Sequence, residues 1–141
     1  MSLLISLMRI DGWLGFLCVI MLGFQSCEVP PEVRVQPSNP PTFAFSRGTL
    51  VSMLLVYHLR PEQVGEGIFL DELLKDKPNL TWMLEGTHDQ QVPITYGIVP
   101  SGMNETLEAR PLVDGEYYLV FVASLVGARF VIRNGIAEQV K

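Results

Sequence analysis

The chain has 141 residues and a net charge of −5, from 10 basic and 15 acidic side chains. That length fits one domain rather than two, and the acidic balance argues against a nucleic-acid partner. Apolar residues make up 48% and charged residues 18%, which is a folding composition rather than a disordered one. The two cysteines build no disulfide-dense scaffold, and no CxxC or Cys/His cluster points to zinc.

The first element in the chain is apolar. Residues 12–24, GWLGFLCVIMLGF, carry no charge. They fall short of the roughly 20 residues needed to span a bilayer and have the length of a secretory h-region. Arg9 supplies the positive n-region, with Asp11 beside it, and Met8 offers an alternative start to Met1. The stretch Leu22-Gly23-Phe24-Gln25-Ser26-Cys27 resembles a bacterial lipobox, in which a small residue precedes a cysteine that receives acyl chains such as palmitate. Phe24 and Gln25 depart from the usual Leu and small residue at those positions. The resemblance implies a lipoprotein signal peptide over 1–26 and acylation at Cys27. Cys18 would leave with the signal, so Cys27 would be the one cysteine of the mature chain. A lone thiol has no disulfide partner in an oxidising compartment, and acylation accounts for it.

Residues 28–41 follow as EVPPEVRVQPSNPP, with prolines at 30, 31, 37, 40 and 41. Proline favours an extended chain, so 27–41 reads as a lipidated cysteine and a semi-rigid tether. The alternative is that Val33–Val35 pairs as an edge strand. Glu28, directly after the cysteine, leans toward the outer membrane over the inner one.

Residues 42–141 read as an all-β domain. Strands are expected at Thr42–Ser46, Leu50–Leu59, Leu80–Glu85, Ile94–Val99, Thr106–Ala109, Glu116–Ser124 and Arg129–Arg133, with a last piece at Ile136–Val140. They are rich in Val, Tyr, Phe, Thr and Leu. Arg47-Gly48, Glu85-Gly86, Pro100-Ser101-Gly102, Asp114-Gly115 and Asn134-Gly135 separate them as turn signals, and Asn-Gly suits a two-residue hairpin. Seven or eight short strands in this span predict a β-sandwich. One short helix, Phe69 to Lys75, is expected in a crossing connection, stopped by Pro78.

The segment Leu112-Val113-Asp114-Gly115-Glu116-Tyr117-Tyr118-Leu119-Val120 resembles the strand-corner pattern of fibronectin type III and related immunoglobulin-like domains. The resemblance implies an immunoglobulin-like β-sandwich. In it Leu112 and Tyr117 pack the corner, the tyrosine hydroxyl bonds back to nearby backbone, Gly115 is the turn glycine and Trp82 is a buried strand tryptophan. Asp114 stands where the family has proline. The chain also resembles small uncharacterised bacterial lipoproteins that end in such a domain.

Chemistry is sparse. The chain has no G-x-S-x-G, S-x-x-K, P-loop or G-x-G-x-x-G, so a non-enzymatic protein without a cofactor is expected. His58 lies in the apolar run MLLVYHL and reads as structural. His88 and Asp89 lie in a connecting loop and are the candidate ligand residues, although two adjacent groups make no complete metal site. Met53, Met83 and Met103 are scattered, and Asp71-Glu72 sits early on the predicted helix. The sequons at Asn79 and Asn104 matter only in a glycosylating host. The run Tyr117–Ala123, YYLVFVA, is apolar throughout. With Tyr117 facing the core, the period of two turns Tyr118, Val120 and Val122 outward as a partner-binding stripe, unless Ile68, Phe69 and Leu73 cover it.

Two functions are weighed from this. One is a bacterial envelope lipoprotein, held in the membrane through a lipid on Cys27, whose sandwich binds or scaffolds another envelope protein. The other is a periplasmic small-ligand or metal-binding module using loop residues around His88.

Overall fold

The computed structural model describes residues 32–46, 50–65, 75, 77–88, 92–123 and 127–141. The signal segment, Cys27, Ile68, Leu73, Asp89 and the Arg47-Gly48 turn lie outside the described residues, and of the helix expected over Phe69 to Lys75 only Lys75 is described. Among the described residues no helix is long and apolar enough to cross a membrane.

Among the described residues nine strands run in order: β1 (Val33–Gln36), β2 (Thr42–Phe45), β3 (Val51–Leu59), β4 (Leu80–His88), β5 (Ile94–Thr95), β6 (Met103–Leu107), β7 (Tyr117–Val122), β8 (Ala128–Arg133) and β9 (Ile136–Val140). They form two sheets, β1-β2-β5 and β6-β4-β3-β7-β8-β9, and all their pairings are antiparallel. The all-β expectation holds, as a β-sandwich. Val33, Val35, Phe43 and Ile94 of the small sheet share one buried core with Leu54, Val56, Trp82, Tyr118, Val120, Phe130 and Ile132 of the large one. Phe130 is the aromatic centre: Phe43 meets it at 5.7 Å and Tyr118 stacks on it at 5.5 Å.

The expected tether is not all tether. Val33–Gln36 pairs with Thr42–Phe45, and the alternation VRVQ buries both valines while Arg34 and Gln36 face solvent. The strand's outer edge turns toward β9. There the Val35 N–H donates to Gln139 Oε1 at 2.9 Å, and the Ala137 N–H donates to the Ser38 carbonyl at 3.2 Å. The paired strands therefore include Val33–Gln36, ahead of residue 42.

Strand β3 is apolar on both faces because both are covered. Leu54 and Val56 enter the sandwich core. Leu55, Tyr57 and Leu59 point the other way, into a second cluster with Met53, Val64, Leu80, Met83, Tyr117, Leu119 and Phe121. Arg129 donates from Nη1 to the carbonyls of Val64 (2.6 Å) and Gly65 (2.9 Å), tying residues 61–65 to that second face.

The register of β7 is the reverse of the expectation. Tyr118 is 2% exposed, and Val120 and Val122 are fully buried in the sandwich core, while Tyr117, Leu119 and Phe121 join the second face. With every residue of the strand apolar, the period of two carries no sign. The expectation rests on Tyr117 as the core tyrosine, and the tyrosine that bonds to nearby backbone is its neighbour: the Val113 N–H donates to the Tyr118 hydroxyl at 2.9 Å. Leu112, Gly115 and Trp82 stand as expected, with Leu112 against the core, Gly115 at φ +85° and Trp82 fully buried.

Elsewhere the strands shift in length. Strand β4 extends to His88, β6 begins at Met103, and β5 shrinks to Ile94–Thr95, cut short by a turn with Gly97 at φ +79°. The β8–β9 hairpin is as expected: Asn134 and Gly135 both have positive φ, 53° and 78°.

Candidate interaction site

The strand directions give the sandwich two ends. Strand β1 begins at the first, where β9 also finishes, β3 begins and β4 finishes. The second end collects the connections 37–41, 96–99, 108–116 and 134–135 and the described ends of the β3–β4 connection, and depressions lined by described residues lie here.

A groove of about 300 Å³ opens on this second end. Its walls are Pro40, Pro41, Tyr96, Pro111, Leu112 and Ile132, and Asn39 and Asp114 add polar atoms. The walls are stiff. The Tyr96 hydroxyl donates to the Arg110 carbonyl at 2.6 Å, and the Trp82 and Tyr96 rings meet edge-on at 5.0 Å. Asp114 Oδ1 accepts the Gly135 N–H at 2.9 Å, and the Gly115 N–H donates to the Ile132 carbonyl at 2.7 Å. These bonds lock the Asp114-Gly115 turn to the β8–β9 hairpin.

Across that turn lies a second depression of about 320 Å³, lined by Leu59, Pro61, Val64, Gly115, Glu116 and Tyr117. His58 Nε2 donates to Glu116 Oε2 at 2.8 Å beside it, and the His58 ring lies 5.3 Å from that of Tyr118. His58 is thus a strand histidine with a satisfied ring nitrogen, half exposed rather than buried. Four exposed apolar side chains of the described residues lie on this end: Ile98 (60%), Val99 (41%), Val113 (56%) and Ile136 (45%), the last two beside the Asp114-Gly115 turn and the hairpin turn.

The residues singled out from the sequence are placed differently. Tyr118, Val120 and Val122 face the core and offer no partner surface. His88 is buried, and its Nε2 donates to the Val92 carbonyl at 2.6 Å. A carbonyl only accepts, so the proton sits on Nε2, and that nitrogen is not available to a metal or ligand. Asp89 and Cys27 lie outside the described residues. Among the described residues no three His, Cys, Asp or Glu side chains gather as a metal site. The groove residues Pro40, Tyr96, Pro111 and Ile132 come from four separate segments, and no spacing in the sequence links them. The one local signal is proline, and over 27–41 proline points equally to a spacer.

Burial pushes the Tyr96 hydroxyl above its ordinary pKa, and it does the same for Tyr118 and Tyr57. Comparison with known protein families, curated proteins and solved structures gives no match.

Proposed function

We propose that this chain is a non-enzymatic lipoprotein of the bacterial envelope, acylated at Cys27, whose sandwich binds another envelope protein through the end opposite the anchor. The observation that carries the reading is the placement of the groove. It lies at the far end from the start of β1, six residues after Cys27, with Val113 and Ile136 exposed beside it. Exposed apolar side chains grouped around a preformed concavity are what a protein interface buries first. The walls are hydrogen-bonded into place, so a partner would bear little of the ordering cost of binding.

The domain is read as immunoglobulin-like, and its strand order supports this. Strands β1-β2-β5 form one sheet, and β8-β7-β3-β4 run side by side in the other, as A-B-E and G-F-C-C′ do in that fold. The Tyr118–Val113 bond supports it too. The departures are β6, which follows β5 in the chain yet pairs beyond β4, and the added edge strand β9. The outer membrane is favoured on Glu28 alone.

The test is photocrosslinking in the host, with a photoreactive residue placed at Val113 or Ile136 and a control at Thr106 on the exposed β6 edge. One adduct of fixed mass from 113 and 136 and none from 106 is the expected result. Equal adducts from all three, or none, overturn the assignment. The intact mass of the membrane-extracted protein tests the anchor, since residues 27–141 plus acyl chains is the expected species.

A further inference from the structure

We propose that the end of the sandwich where β1 begins is a membrane seat, at which Leu50 and Val92 enter the interfacial layer of the bilayer. The inference rests on the reading of Cys27 as the acylated residue and goes beyond it, because it fixes how the domain sits on the lipid.

The first observation is the reach of the chain. Val33 lies six positions after Cys27, a span that fully extended covers only about 20 Å. Glu32 already belongs to the fold, exchanging bonds with Ser46: its N–H donates to the Ser46 hydroxyl at 2.9 Å and its carbonyl accepts the Ser46 N–H at 3.1 Å. A lipid on Cys27 therefore holds this end of the domain against the surface.

The second observation is what that end presents. Leu50 is 69% exposed and Val92 is 54% exposed, and both flank the same strand pair. Leu50 precedes Val51, which lies opposite His88, and His88 grips the backbone of Val92. The buried histidine thus holds Val92 on the end face beside Leu50. Amphipathic surfaces bind bilayers in this way, by apolar side chains at the acyl boundary. The described charges at this end do not oppose the contact. Glu32 is paired with Arg34 at 2.7 Å, and Lys141 follows β9 at the same end, where a cation favours an anionic surface. The nine residues of β3 then carry the opposite groove about 30 Å from the lipid.

The experiment uses the acylated protein, bearing Leu50→Cys, Val92→Cys, Val113→Cys or Ile136→Cys, each labelled with bimane. Cys27 is blocked by its lipid, so each variant has one reactive thiol. The proteins are reconstituted into phosphatidylethanolamine–phosphatidylglycerol vesicles carrying nitroxide-labelled lipid. Quenching at 50 and 92 several-fold above that at 113 and 136 is expected. Protein that floats with the vesicles but is quenched equally at all four positions overturns the seat and leaves the anchor intact. A blue-shifted bimane at 50 and 92 without lipid quenching means that a protein covers that end, and also overturns it. Protein that does not float, with an unacylated mass, removes the anchor reading and this inference together.

Discussion

The Tyr118 hydroxyl accepts the Val113 N–H while its ring stacks on Phe130, so one side chain joins a surface corner to the core. Tyr118→Phe keeps the stack and leaves the Val113 N–H without its acceptor. The expected cost is about 1–2 kcal/mol, read as a lower urea midpoint at unchanged slope; an unchanged midpoint would show that the bond contributes nothing. The buried tyrosines also set an alkaline limit. Desolvation raises the hydroxyls of Tyr57, Tyr96 and Tyr118 above their ordinary value of about 10, so the folded state holds these protons more tightly than the unfolded state does. The stability this contributes is complete below about pH 10 and is lost as pH rises through the folded-state values. Tyrosinate absorbance from these three should therefore develop together with loss of the fold. Ionisation near pH 10 with the fold intact would contradict their burial.

Among the elements, the β4–β6 pairing depends on two glycines. Gly86, at φ +143°, lies where an added Cβ would fall on the Gly102 carbonyl oxygen, and Gly102, at φ +86°, faces the Thr87 carbonyl in the same way. The Thr87 N–H donates to the Gly102 carbonyl at 2.9 Å across this contact. Gly86→Ala should cost about 2 kcal/mol or more, visible as lost amide protection in β6 before the rest of the sheet. Gly115→Ala, also at positive φ but in open space, should cost less, and an equal cost would remove the steric argument. How far each element was legible in the sequence follows from the same local physics. Strand β9 and its Asn134-Gly135 turn were plain because the turn needs two residues that tolerate positive φ. Strand β1 is legible only as the alternative to a tether, because two-residue alternation in VRV is outweighed by the prolines around it. Those prolines bracket the strand and then line the groove. The face assignment of β7 could not be read at all, since a uniformly apolar strand between two covered faces has no polar residue to mark which side is which. The groove was hidden for a different reason: its walls are brought together by tertiary packing from four segments separated along the chain, at Asn39–Pro41, Tyr96, Pro111–Asp114 and Ile132–Gly135.

For the whole molecule, the apolar residues on the surface fall at opposite poles. Ile98, Val99, Val113 and Ile136 stand at the groove end, and Leu50 and Val92 stand at the pole where β1 starts. Replacing Val113 and Ile136 together with aspartate touches no core contact. Stability should stay within about 0.5 kcal/mol while crosslinking of the proposed partner from a photoreactive residue at Pro111, on the groove wall, is abolished. Retained crosslinking with intact stability would move the interface elsewhere on the sandwich.

The first residue of β1 and the last of β9 lie at the same pole, and Val113 lies at the other, so the sandwich has a direction under load. Tension between Glu32 and Val113 would run along the strands and strain all four residue pairs of the β1–β2 ladder at once, from Val33–Phe45 to Gln36–Thr42. Tension between Glu32 and Lys141 would instead peel β1 away one bond at a time. In an optical trap the first pulling geometry should rupture at a clearly higher force than the second, since forced unfolding reports the barrier along the pulled path. Equal rupture forces would mean that β1 does not bear the load. A domain tied down at one pole and gripped at the other would thus meet mechanical stress in its more resistant orientation.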